Sequence, residues 1–254
     1  MTDIRRMQLE IVSMMEKVDN LFQQEGIAYT LLGGSVLGSV RHGGFIPWDD
    51  DMDVGVFRKD FARAEQFLSR LHPYQYECAE EHIVPDAPIG HLHLVNDTYP
   101  IGNSPTIDVF ALDTVPSDRR KWKRLRMTAN LHHLAVLGRA PEHRGRVNKI
   151  IFSIFFKIVP PKMLSFIKRK TLKSITDCGG CNGEWTGNIF GAYTEREYFS
   201  TEMYAELERR NFETLSLPIP KRYDKYLTQL YGNYMELPPE AERIPKHREL
   251  WNEK

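Results

Sequence analysis

Three aspartates, Asp51, Asp53 and Asp108, have the residue type and spacing best suited to chemistry in this sequence. Asp51 and Asp53 open the run Asp51-Met-Asp-Val-Gly-Val-Phe57, whose polar–apolar alternation has the period of a strand. Side chains two apart on a strand share a face, so the two carboxylates stand side by side and repel each other unless a cation lies between them. Mg²⁺ or Mn²⁺ would fill that role and bridge to substrate phosphates. Asp108 is the lone acid in Thr106-Ile-Asp-Val-Phe110, a second strand pattern. A carboxylate there is costly unless it is paired or binds metal. Next to Asp51 and Asp53 it would complete a three-carboxylate metal site, and it could accept the proton of an attacking hydroxyl. Asp49 and Asp50, in the loop just before, can serve as outer ligands or turn residues.

Upstream, the strand pattern Ile27-Ala-Tyr-Thr-Leu-Leu32 runs into Gly33-Gly34-Ser35, where a short helix is expected to start at Ser35. Glycines let backbone approach a ligand closely, and a helix N-terminus offers unpaired N–H groups that suit a phosphate. Gly-Gly-Ser alone is usually an ordinary turn, and a run of acids alone is usually a solvated loop. The ordered set is different: strand, Gly-Gly-Ser, helix, Asp-x-Asp on the next strand and a lone strand Asp share one mechanism, a metal–phosphate site.

The elements that must position these groups are readable in outline. Ile4, Met7, Ile11, Met14, Met15, Val18, Leu21 and Phe22 recur at helical spacing, with Asp3 to cap the helix and Gly26 to end it. Lys59 to Leu71 reads as a second helix, and strand-like pieces lie around 74–78, 91–95 and 106–110. Beyond Pro116 come a basic helical stretch (118–137), an apolar stretch broken by Pro160-Pro161, another basic helix (162–176), a Gly-rich loop from Cys178 to Gly191 and a late helix near Lys221–Tyr231. The expectation is an α+β protein with a mixed sheet: a catalytic core over 1–115 and a mostly helical second lobe over 116–254 that binds donor and acceptor.

Bulk properties narrow the function class. The chain has 254 residues, 41% hydrophobic and 27% charged, a globular composition. Lys+Arg and Asp+Glu are both 34, so a protein whose main role is to coat nucleic acid is not expected. Three cysteines make no disulfide framework, and no apolar leader or 18-residue apolar run is visible, so a cytoplasmic location is the expectation.

The stretch Gly33-Gly34-Ser35-x-Leu37-Gly38-x-x-Arg41-His42-x-Gly44-Phe45-Ile46-Pro47-Trp48-Asp49-Asp50-Asp51-x-Asp53 resembles the LicD family, whose eukaryotic relatives include the fukutin-type proteins. Two further blocks agree, Ile107-Asp-Val-Phe-x-Leu-Asp113 and Tyr223-Asp-Lys-Tyr-Leu-Thr-Gln-Leu-Tyr-Gly232, although the family's usual Asp after that glycine is Asn233 here. The resemblance implies a nucleotidyltransferase-like core. It implies transfer of phosphocholine or a related alcohol phosphate from a CDP-alcohol donor to a glycan or lipid-linked glycan acceptor, of teichoic acid or lipopolysaccharide type. Arg41 and His42 can then neutralise phosphate charge. A rival reading keeps the same carboxylates but attacks the α-phosphate of a nucleoside triphosphate, modifying a small molecule or protein.

Other residues leave alternatives open. Cys178-Gly-Gly-Cys181 lacks the second pair that zinc needs and reads as a loop. Trp185, Phe190, Tyr193, Tyr198, Phe199 and Tyr204 are either core or a cage for a quaternary ammonium. His91 and His93 share a strand face, as core histidines or a second metal site. Asn148–Lys170, apolar with flanking lysines, either touches an anionic membrane face, the inner face of the cytoplasmic membrane being the expectation, or packs within the second lobe.

Overall fold

The computed structural model describes residues 3–78, 89–100, 103–138, 156–177 and 183–245. Helix α1 (Asp3–Gln24) follows the apolar periodicity: Met7, Ile11, Met14, Met15, Val18 and Phe22 are all essentially unexposed. Gly26, at φ +62°, stops it and turns the chain into β1 (Tyr29–Leu31). Helix α2 (Gly33–His42) begins two residues earlier than its sequence suggests. Next come β2 (Met52–Phe57), α3 (Arg58–Leu68), β3 (Gln75–Glu77), β4 (Gly90–His93) and the long β5 (Thr106–Val115).

The period-two alternation decides what each strand buries. Met52, Val54 and Val56 on β2 and Ile107 and Val109 on β5 are fully buried in the main core, which α1 and α3 share. Asp53 and Asp108 take the opposite face. The sheet runs β1-β2-β5-β4-β3, and β2 pairs with β5 in parallel while the other pairings are antiparallel. The α+β expectation with a mixed sheet holds.

After β5 come α4 (Trp122–Leu137) and α5 (Pro161–Thr176), which starts with proline at its first turn, where a missing N–H costs nothing. They pack together over a smaller core of Val115, Trp122, Leu125, Ala129, Ile175, Ile189 and Tyr198. The chain then returns to the sheet. Strand β6 (Trp185–Asn188) pairs with the second half of β5, on the edge whose first half pairs with β4, and β7 (Tyr198–Ser200) adds outside it. Patterning alone reads this region as loop, because Trp-Thr-Gly-Asn has no apolar alternation. Similarly hidden is the hairpin of β8 (Leu207–Phe212) and β9 (Leu215–Pro220), whose prolines mask the strand signal. Its two-residue turn uses Glu213 at φ +56° in place of the usual Asn or Gly. Tertiary bonds hold it: Arg5 donates to the Glu213 carboxylate at 2.6 Å, the Phe45 N–H at 3.1 Å, and the Glu213 N–H reaches Gly43 O at 2.7 Å. Helix α6 (Tyr223–Tyr231) follows, and a short 3-10 turn at Glu240–Glu242 comes after it.

The Gly-rich loop at Cys178 and Cys181, and residues 148–155 of the Asn148–Lys170 stretch, lie outside the described residues. Among those described, no helix is long and apolar enough to cross a membrane.

One ion pair ties α3 to the sheet. Arg58 at the start of α3 donates to both oxygens of Asp113 on β5, at 2.6 and 2.8 Å, and the Asp113 side chain is 1% exposed. Burial pushes the Asp113 carboxyl up and Arg58 pulls it back down. Arg58→Ala leaves that carboxyl buried without its partner, and the expected cost is about 3 kcal/mol. The loss should be larger at pH 8 than at pH 5, because burial without Arg58 raises the Asp113 carboxyl further and proton uptake at lower pH offsets the unpaired charge. Chemical denaturation at the two pH values measures it, and an equal loss at both contradicts the account.

Candidate active site

Strand register assembles the acids. Asp53 on β2 is the direct partner of Asp108 on β5, and Asp108 is the direct partner of His91 on β4. One row across three strands therefore carries Asp53, Asp108 and His91 on one face. Asp51 lies two residues before Asp53 and joins the same side. Ligand-capable oxygens of Asp51, Asp53 and Asp108 all lie within 4.8 Å of one another. The Asp108 Oδ1 is 2.8 Å from His91 Nδ1, which orients it. His93 stacks on His91 with 5.7 Å between ring centroids and meets Thr106 Oγ1 at 2.9 Å. Burial, then His91, pushes His93 down to about 4, so it stays neutral at ordinary pH. The histidines are buried groups behind Asp108 in the sheet.

Helix α2 delivers its N-terminus to this row. Gly33 has φ +46°, and a Cβ there would stand 3.3 Å from Asp53 Oδ2; one on Gly34 would stand 3.1 Å from Asp49 Oδ2. Only residues without a side chain let the helix start this close to the acids. The Gly33 N–H donates to the Tyr226 hydroxyl of α6 at 2.9 Å. Ser35 is 4% exposed, and its Oγ accepts the Asp53 N–H at 2.9 Å, so it fastens α2 to β2. Asp49 and Asp51 line the pocket, while Asp50 is buried. Arg41 also lines it, donating through Nη1 to the carbonyls of Tyr234 (2.9 Å) and Glu236 (3.3 Å). His42 sits against Arg41 (3.0 Å) and is not part of the pocket wall.

The pocket has a volume of about 670 Å³. Its aspartates come from residues before 115, and much of its wall comes from later residues: Asn188, Tyr193, Glu197, Tyr231, Asn233 and Tyr234, with Trp48 and Phe110 from the first half. The electrostatics are strongly one-sided. Burial, then Asp51, Asp108, Asp49 and Glu197, hold the Asp53 carboxyl well above the usual range. A group so placed needs a nearby cation to ionise. The donors are all carboxylate oxygens, the set a hard divalent cation prefers, so Asp51, Asp53 and Asp108 fit Mg²⁺ or Mn²⁺.

Sequence reasoning passed over Glu197. It is 6% exposed, accepts the Tyr193 N–H at 2.8 Å and lies against Asn188. Burial pushes it up to about 7 against those two donors. Nothing in Glu195-Arg-Glu-Tyr198 signals a pocket; only the fold brings it there. Tyr226 and Tyr231 belong to the late sequence block and could have been singled out. Of the six aromatics considered for a cage, Trp185 and Phe190 pack with Tyr198 around the smaller core, and Phe199 and Tyr204 belong to the main one. Tyr193 alone of them lines the pocket, where its ring meets Tyr231 edge-on at 5.1 Å.

Residues 26–135 match the LicD/FKTN/FKRP nucleotidyltransferase domain. The chain carries a LicD-family domain. Lipopolysaccharide cholinephosphotransferase LicD of Haemophilus influenzae is 29% identical over 263 residues, covering 96% of both chains. Ribitol 5-phosphate transferase FKRP of Homo sapiens is 45% identical over 49 residues, 19% of this chain and 10% of that protein. An uncharacterised protein of Rickettsia prowazekii is 33% identical over 73 residues, 29% of this chain. The LicD domain match contains Gly33, Gly34 and the acids through Asp108, but ends before Glu197 and the α6 tyrosines.

Glu197 gives a pH signature. Folded, it keeps its proton up to about pH 7; unfolded, it releases it near its ordinary value of 4.5. The unfolded state binds fewer protons across that window, so stability falls as pH rises through it. Glu197→Gln removes the loss. Without added metal, the variant should be more stable than the wild type at pH 8, by at most about 3 kcal/mol, and the two should converge below about pH 4.5. Melting curves across pH decide it, and a pH-independent difference contradicts the assignment.

Proposed function

We propose that this chain transfers phosphocholine, or a related alcohol phosphate, from a CDP-activated donor to a hydroxyl of a cell-surface glycan precursor of lipopolysaccharide or teichoic acid type. The convergence of Asp51, Asp53 and Asp108 within 4.8 Å at the foot of an aromatic-walled pocket carries the reading. A relative matching along nearly the whole chain, a lipopolysaccharide cholinephosphotransferase, supports it.

In this reading Asp51, Asp53 and Asp108 hold Mg²⁺ or Mn²⁺, with Asp49 and Asp50 as outer acids. When bound, the ion supplies charge neutralisation at the donor diphosphate. The glycines at the start of α2 let the donor come close, and its N-terminal dipole and Arg41 favour the phosphate charge. His42 supports Arg41 from outside the wall. The acceptor oxygen forms a bond to the phosphorus of the alcohol phosphate, the bond from that phosphorus to CMP breaks, and CMP leaves with the electron pair. Glu197, poised near neutrality on the pocket wall, receives the hydroxyl proton. Trp48, Tyr193, Tyr231 and Tyr234, with Glu236 and Glu242 on the rim, suit a quaternary ammonium, which favours choline over an uncharged polyol. The reading puts the reaction in the cytoplasm.

Incubation of the purified chain with Mg²⁺ and separate CDP-choline, CDP-ribitol and CTP should release CMP from CDP-choline. Release of pyrophosphate from CTP, with no CMP from either CDP-alcohol, favours attack at an α-phosphate and ends the transfer reading. Asp53→Asn should abolish turnover and leave the chain folded. It should also raise the melting temperature of the metal-free protein, because one repelling acid is gone, and remove the gain that Mg²⁺ gives the wild type. Unchanged Mg²⁺ stabilisation in the variant contradicts the ligand assignment.

A further inference from the structure

The zero net charge of the chain conceals a sharp separation. Between residues 119 and 176 the sequence carries sixteen Lys or Arg and one acid, Glu142. The rest of the chain, including the pocket, therefore holds a matching acidic excess. The basic segment contains α4 and α5, which pack together through buried faces: Leu125, Ala129 and His132 on α4, Thr171 and Ile175 on α5, with His132 Nδ1 3.0 Å from Thr171 Oγ1.

Their outer faces combine two features. Apolar side chains stand in solvent: Met127 is 63% exposed on α4, Met163 48% and Phe166 54% on α5, and Ile158, just before α5, 73%. Met127 and Leu131 lie one turn apart on α4, and Met163 and Phe166 lie on one side of α5. On the same two helices, Lys123, Arg124, Lys162, Arg169 and Lys170 are exposed, and among the described residues none has an acidic partner at ion-pair distance. Lys170 Nζ stands over the Phe166 ring at 5.9 Å, so charge and ring present together.

A soluble surface has no reason to expose methionine, phenylalanine and isoleucine inside a field of unneutralised lysines. A surface of anionic headgroups above acyl chains satisfies both: the cations meet headgroup phosphates, and the apolar side chains enter the boundary beneath them. Neither feature alone selects that partner. Charge by itself would serve any polyanion, and apolar exposure by itself would serve another protein. We infer that the outer face of α4 and α5 docks this protein on an anionic phospholipid bilayer. The docking does not depend on the transfer reading, since it uses no pocket residue.

Cosedimentation of the full chain with vesicles tests it. The wild type should bind vesicles of mixed phosphatidylglycerol and phosphatidylcholine, weaken as salt is raised, and leave phosphatidylcholine vesicles unbound. Lys162→Glu/Arg169→Glu/Lys170→Glu should lose at least about tenfold, given about fivefold per basic residue at such a surface. Met163→Ser/Phe166→Ser should lose about tenfold as well, with an unchanged melting temperature, because both side chains are exposed. CMP release from a soluble donor should be the same in all three proteins, which separates failure of docking from failure of the transfer reading. Equal binding to both vesicle types overturns the inference, as does full binding by the apolar variant. So does a wild-type dimer in light scattering that Met163→Ser/Phe166→Ser dissociates without any change in vesicle binding.

Discussion

Mutual repulsion among half-buried carboxylates is the constraint around which this structure is organised. Parallel pairing of β2 with β5 puts Asp53 directly opposite Asp108, and the loop before β2 adds Asp51. In water such groups would drift apart, but here backbone hydrogen bonds hold them in register. The apolar face of the same strands, Met52, Val54, Ile107 and Val109, makes that register expensive to slip, because a shift of one residue would turn aspartate into the core. The core thus holds in place the crowding that pushes the Asp53 carboxyl well above its usual range.

The other elements serve the same end from a distance. Tyr226 on α6 meets the first N–H of α2, and Ser35 fastens α2 to β2, so the helix start is clamped beside the acids from two sides. Arg41 holds the carbonyls of the loop after α6, which closes the pocket rim. Glu213 joins the β8–β9 hairpin to α1 and to the loop after α2. Apart from the Ser35 bond, these span well over a hundred residues of sequence, which explains how a pocket with aspartates from one end of the chain acquires walls from the other.

Charge is divided as sharply as chain position. The pocket gathers carboxylates around Arg41, whereas α4 and α5 carry cations with few partners. The balanced total conceals this separation, which gives each face its own electrostatic character.

Much of this was decided by local sequence. The apolar period of α1, the alternation in β2 and β5, and the ordered set Gly33-Gly34, Asp51, Asp53, Asp108 depend on neighbours a few residues apart, so helix, strands and acid row were readable before any fold was known. The start of α2 at Gly33, the strands β6, β8 and β9, the turn at Glu213 and the pocket role of Glu197 were not. Their causes are long-range. Gly33 heads α2 at a left-handed φ with its N–H on the Tyr226 hydroxyl, β6 is a strand because β5 offers an open edge, Glu213 tolerates positive φ because Arg5 and Phe45 grip its carboxylate, and Glu197 is held near neutrality by burial that only the assembled sheet and α6 provide. Short-range periodicity determined which groups face the same way; burial and partners distant in sequence decided which of them meet.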